Sequence, residues 1–263
     1  MKENEDIILH AENIVKIYKT GAGSLTVLDH LNLDVQRGTL VMLMGRSGSG
    51  KTTLMNLLST LDDPTEGDIS FIGKKKSPQQ GKETDVSGTA DETGTVQISQ
   101  EKEEPVAYSE MTEEDKERFR RYRMGFVFQS VALIPVMTAR ENIDFSLRTA
   151  GYARSEKNFG DADYGAIDRR IDQVLENVGL ADRADHYSSE LSGGERQRIA
   201  IARAIAHKPD LLFADEPTGA LDTQTGIHIA ELFLELTRKE NLTVVMTTHD
   251  IRLSEYADKI IRM

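Results

Sequence analysis

Short aliphatic runs, each ending at a polar turn, set the rhythm of this chain. Residues 40–44 and 211–214 are continuous apolar stretches; residues 243–248 have the same character and end at His249, and residues 124–128 end at Gln129. Runs this short and rich in aliphatic residues predict strands buried on both faces of a parallel sheet. Between them the period changes: Ile167, Ile171, Val174, Leu175 and Val178 recur at helical spacing before Gly179, a plausible helix stop. Helices alternating with strands predict an α/β fold with a doubly wound sheet. Such sheets bind ligands beyond the carboxyl ends of their strands, and here four strands deliver polar residues to that edge.

Residues 77–105 break this rhythm. Gly, Ser, Thr, Gln and Glu dominate, and seven acidic residues stand against two lysines, a composition that supplies little core. The segment is expected to be a flexible acidic insertion, either a solvated loop or a partner-binding element. It lies between a strand around residues 69–72 and a helix starting near Thr112, whose Thr112 and Asp115 resemble a capping box. Alternation about Val96 and Ile98 suggests a small hairpin within it.

Composition excludes several classes. No apolar run approaches the roughly 18 residues of a membrane-spanning helix, and the acidic start, MKENEDIILH, lacks the basic and apolar regions of a targeting peptide; a cytosolic location is expected. The chain has no cysteine and only six scattered histidines, so neither a disulfide framework nor a thiolate zinc site is expected. A net charge of −12 argues against nucleic acid as a main partner, because phosphate backbones call for a basic face.

The chemistry begins where the first apolar run ends. Gly45, Arg46, Ser47, Gly48, Ser49, Gly50, Lys51 and Thr52 match G-x-x-x-x-G-K-[ST], with a strand before them and an apolar helix from about Thr53 after them. Glycines let successive N–H groups point inward at phosphate oxygens, and the helix N-terminus adds its positive end. Lys51 is expected to reach the β- and γ-phosphates, and Thr52 to ligate Mg²⁺. Asp215 and Glu216 end a second buried strand. Side by side they would repel each other unless a cation or separate duties divided them, so Asp215 is expected to hold the metal and Glu216 to polarise the attacking water.

Residues 191–198, LSGGERQR, resemble the signature of the ABC ATPase superfamily, and their place between the phosphate loop and KPDLLFADEPT at residues 208–218 follows that family's order. Ser192 and the N–H groups of Gly193 and Gly194 open a helix and would form a second anion site, and the resemblance counts Glu195 among the nucleotide-binding positions; as a bare N-cap, Ser192 would explain the serine but not the glycines. The resemblance implies a P-loop NTPase fold of ABC type, one domain over residues 1–263 with an antiparallel β subdomain and a helical subdomain at about 130–195. It implies a head-to-tail dimer in which ATP and Mg²⁺ lie between the loop of one subunit and the signature of the other.

Other positions are carried over one by one. Tyr18 sits where an aromatic stacks on adenine, although an ordinary half-buried tyrosine would read the same. Gln129 falls in the loop that senses the γ-phosphate, takes part in metal binding and touches the membrane subunit. Asp222 lies in the segment that crosses the dimer, and His249 resembles the switch histidine that hydrogen-bonds the γ-phosphate.

The resemblance is to the branch of macrolide exporters, lipoprotein-release systems, bacitracin-resistance transporters and the cell-division ATPase. It implies a motor peripheral on the inner face of the membrane, bound to integral permease subunits. It breaks at the acidic segment and around residues 155–163, and related chains continue beyond Met263, which leaves truncation open. A soluble repair or translation protein is disfavoured by the absence of coiled coils, cysteine modules and a second cassette. Control of a membrane enzyme by ATP closure stays open as an alternative, because the cargo is not written in this chain.

Overall fold

The computed structural model describes residues 6–21, 23–73, 104–151 and 164–263. Its chain opens with two long strands, β1 (Ile7–Thr20) and β2 (Gly23–Gln36), followed by β3 (Leu40–Met44), α1 (Lys51–Leu58) and β4 (Glu66–Gly73). After residue 103 come β5 (Glu104–Ala107), α2 (Glu113–Arg123), β6 (Met124–Val127), α3 (Ala139–Thr149), α4 (Tyr164–Asn177) and α5 (Gly193–Ile205). The remainder is β7 (Leu211–Asp215), α6 (Thr223–Glu240), β8 (Thr243–Thr248) and β9 (Lys259–Arg262).

Two sheets organise these elements. The larger runs β6-β7-β8-β3-β9, with every neighbouring pair parallel. The carboxyl ends of all its strands therefore share one edge, as the apolar runs predict. Side chains of a strand alternate between faces, and β3 divides accordingly. Leu40, Met42 and Met44 join a core built with α3 to α6, among them Ile143, Val174, Ile199 and Phe233. Val41 and Leu43 join a second core with Leu54, Leu57 and Leu58 of α1 and with Ile8, Leu9, Ile69 and Phe71 of the other sheet. That smaller sheet is antiparallel, in the order β2-β1-β4-β5.

The helix expected from residues 167–178 forms as α4, with Ile167, Ile171, Val174 and Leu175 buried and Gly179 following at φ 66°. Thr112 caps α2 in the anticipated capping box with Asp115. One boundary differs. The acidic segment read as running to Pro105 gives way to strand two residues earlier, where Glu104 and Pro105 pair with Gly73 and Ile72. A proline lacks the N–H of a ladder, but β5 lies at the sheet edge, where that loss is tolerated. The hairpin at Val96 and Ile98, the rest of the acidic segment and the break at residues 155–163 lie outside the described residues.

Candidate nucleotide site

The turn between β3 and α1 is built as a phosphate cradle. Gly50 precedes the helix at φ 96°, and a Cβ there would press within 3.1 Å of Val27. At Gly45 a Cβ would fall 2.5 Å from Ser49 Oγ, which is itself buried without a hydrogen-bond partner among the described residues. Lys51, only 5% exposed, donates to the carbonyls of Gly45 at 2.9 Å and Arg46 at 3.1 Å. An ammonium parked on carbonyls of its own loop can turn to an incoming anion, and a helix N-terminus already favours one there. Unpaired hydroxyl, buried cation and helix end together fit the phosphates of a nucleotide.

The adjoining strand ends supply the acids. Thr52 Oγ1 lies 3.3 Å from both carboxylate oxygens of Asp215, a set of hard oxygen donors that suits Mg²⁺ beside phosphate. Glu216 follows Asp215 at φ 42°, a left-handed backbone that turns its carboxylate out of the sheet. Its Oε1 stands 3.9 Å from Lys51 Nζ and its Oε2 3.4 Å from His249 Nδ1. Gln129 is exposed, and its amide reaches the turn after Glu216, 3.5 Å from where a Cβ on Gly219 would stand.

Ser192 and its neighbours form a separate face. The Ser192 hydroxyl accepts the Glu195 N–H at 3.2 Å, while the Glu195 carboxylate accepts the Ser192 N–H at 2.8 Å. The serine is thus an N-cap, as its plainest reading requires; it is exposed, and the half-buried Gly193 and Gly194 begin the helix behind it. This end borders an open groove of about 1220 Å³ lined by Ser192 to Glu195, Asp222, Thr225 and residues of α6; no residue of the phosphate loop lines it. Asp222 caps α6 through Thr225, and the Thr225 hydroxyl holds its carboxyl below the usual aspartate range. Backbone hydrogen bonding from Ser192 likewise lowers Glu195.

The sequence profile of the ABC transporter family matches residues 28–219. The chain belongs to that family. It is an ABC ATP-binding domain, an ATPase by class. An uncharacterised ABC transporter ATP-binding protein of Methanocaldococcus jannaschii is 35% identical over 97% of this chain and 95% of its own. A macrolide export ATP-binding/permease protein of Rhodopirellula baltica is 39% identical over 94% of this chain and 30% of its own. A bacterial ABC transporter cassette solved as a dimer superposes with a TM-score of 0.72 at 32% identity, over 97% of this chain and 94% of that one. A post-hydrolysis state of the same cassette, bound to ADP and phosphate, matches equally well.

Within this ABC domain, the structure brings Lys51, Thr52, Asp215, Glu216 and His249 to one sheet edge and leaves Ser192 to Glu195 on another face. Tyr18 lies on β1, 37% exposed, and its hydroxyl donates to Asp62 Oδ2 at 3.0 Å. Three neighbours escaped the sequence reading. Thr247 bridges Asp215 and Glu216, Asp62 tethers Tyr18, and Arg252 joins Asp250 to Thr223 at the start of α6. Only the three threonines in the run TVVMTT at residues 243–248 hinted at the first of these.

Proposed function

We propose that this chain is the motor subunit of an ABC transporter, hydrolysing ATP in a head-to-tail dimer and passing the movement to integral membrane permease subunits. The observation that carries this reading is the division of the anion-binding parts: the phosphate loop with its acids at one sheet edge, the Ser192 helix end on a groove that shares no residue with the loop. One chain thus offers two halves of a sandwich. A second ATPase subunit, most simply another copy, joins them.

In this account Lys51 turns from its loop carbonyls to the β- and γ-phosphates, and the N–H groups of residues 45–53 hold the same anion. Thr52, Asp215 and Gln129 hold Mg²⁺, which when bound neutralises charge on the phosphates. Glu216 takes the proton of the attacking water, and His249 donates to the γ-phosphoryl group from the other side of that carboxylate. Ser192, Gly193, Gly194 and Glu195 face the partner's nucleotide, Asp222 lies where the subunits cross, and Tyr18 stacks on adenine. Phosphoryl transfer asks mainly for positioning and electrostatic stabilisation, and each of these side chains supplies one or the other.

Similarity to a protein whose name joins macrolide export with ATP-binding and permease parts supports a membrane partner and the macrolide-export side of the proposed branch, in which the sequence resemblance also sets lipoprotein-release and bacitracin-resistance systems. No helix among the described residues is long and apolar enough to cross a membrane, so attachment at the inner face would run through the permease. The test is phosphate release by the parent and by Glu216→Gln. The variant should keep ATP binding and lose turnover by about 10²-fold or more, the scale of a lost general base. Turnover at the parent rate would contradict the assignment.

A further inference from the structure

Both acids at the sheet edge are held from the neighbouring strand. Thr247 on β8 stands opposite Asp215 on β7 in the parallel register, with 0% of its surface exposed. Its hydroxyl donates to Asp215 Oδ1 at 2.6 Å and accepts the Glu216 N–H at 2.8 Å. A hydroxyl has one proton, so the donated bond goes to the carboxylate and a lone pair serves the amide. Valine has nearly the same outline and would fill this sheet interior without a polar group to bury. Packing alone does not call for the hydroxyl, and both of its hydrogen bonds go to site residues.

We propose that Thr247 is a positioning residue for the two acids. Its hydroxyl fixes the rotation of the Asp215 carboxylate, whose oxygens both lie 3.3 Å from Thr52 Oγ1. It also pins the Glu216 amide at the point where the backbone enters φ 42°, a conformation that a β-carbon disfavours. That turn carries the Glu216 carboxylate toward Lys51 and His249. One side chain therefore sets the metal-facing acid and the water-facing acid together, so that neither moves without the other. The inference rests on the reading of Asp215 as metal ligand and Glu216 as base.

Thr247→Val, Thr247→Ser and Glu216→Gln, compared with the parent, test it. For Thr247→Val, kcat falls about ten- to a hundredfold, the cost of misplacing reacting groups, while KM for ATP stays near the parent value and half-saturating Mg²⁺ rises. In protein free of nucleotide and metal, hydrogen exchange at the Glu216 amide speeds up about tenfold or more, as local protection is lost. Thr247→Ser restores turnover and amide protection because it restores the hydroxyl. Parental kcat and parental exchange in Thr247→Val, beside an inactive Glu216→Gln, would overturn the role of Thr247. So would a Thr247→Ser variant as slow as Thr247→Val. Parental turnover in Glu216→Gln would instead overturn the base assignment beneath it.

Discussion

The Lys51 ammonium stands 3.9 Å from the Glu216 carboxylate and spends its hydrogen bonds on the carbonyls of Gly45 and Arg46. A buried cation held this way is poised between two anions, the acid across the site and the phosphates that would enter the loop. Lys51→Ala therefore weakens ATP binding, with Kd rising about tenfold or more for the loss of a charge-assisted contact. Titration with a fluorescent ATP analogue measures it, and parental affinity would remove Lys51 from the nucleotide.

The separation of loop and signature predicts complementation between subunits. Gly193→Asp places a negative charge at the signature helix end. A Cβ at Gly193 has only an ordinary contact with Leu221, so the subunit should still fold. Lys51→Ala and Gly193→Asp are each expected to be inactive alone. Mixed, they form heterodimers in which one site joins an intact loop to an intact signature, and phosphate release returns in part. No recovery on mixing would count against the head-to-tail arrangement.

Tyr18 is tied down before any nucleotide arrives. Its hydroxyl donates to Asp62 at 3.0 Å, and Asp62 also accepts from Lys16 at 2.7 Å, whose ammonium lies 5.1 Å from the Tyr18 ring centroid. Stacking on a base is worth about 1–3 kcal/mol, so Tyr18→Ala raises the Kd for ATP by about fivefold or more. Tyr18→Phe and Asp62→Ala give smaller losses that do not fully add when combined, because both cut the same tether. Unchanged affinity in Tyr18→Ala would leave it an ordinary half-exposed tyrosine.

Asp222 predicts an acid limb in stability. The hydroxyl and N–H of Thr225 hold its carboxyl below the ordinary aspartate value. A lowered value in the folded state means stability fully present above the ordinary value and lost as pH falls through the lowered one. Asp222→Asn keeps an acceptor at the α6 N-cap but cannot titrate. Its Tm should therefore fall less steeply than the parent's across that acid window. Equal slopes in the two proteins would contradict the linkage.

Legibility in the sequence followed the range of each interaction. The strands β3 and β7 were readable because burial on both faces writes a continuous apolar run, β8 because Val244, Val245 and Met246 sit among threonines in a short buried segment, and the phosphate loop because its geometry demands glycines at fixed spacing. The antiparallel sheet was legible only through family resemblance. Irregular pairing at Ala11 to Lys16 of β1, with Asn13 at φ 54° and His30 at φ 48°, breaks the alternation that would announce it. β5 was hidden by its proline. Thr247 and Asp62 were hidden for another reason: threonine is at home in any strand, and their partners lie far away in sequence, 32 residues between Thr247 and Asp215 and 44 between Asp62 and Tyr18.

The central claim is that two of these chains close on ATP, and light scattering of Glu216→Gln with and without ATP tests it most directly. A variant that binds but does not hydrolyse should pass from monomer to dimer mass when ATP is added, and adding Gly193→Asp should hold it at monomer mass. A Glu216→Gln protein that is saturated with ATP yet keeps its monomer mass would contradict the account.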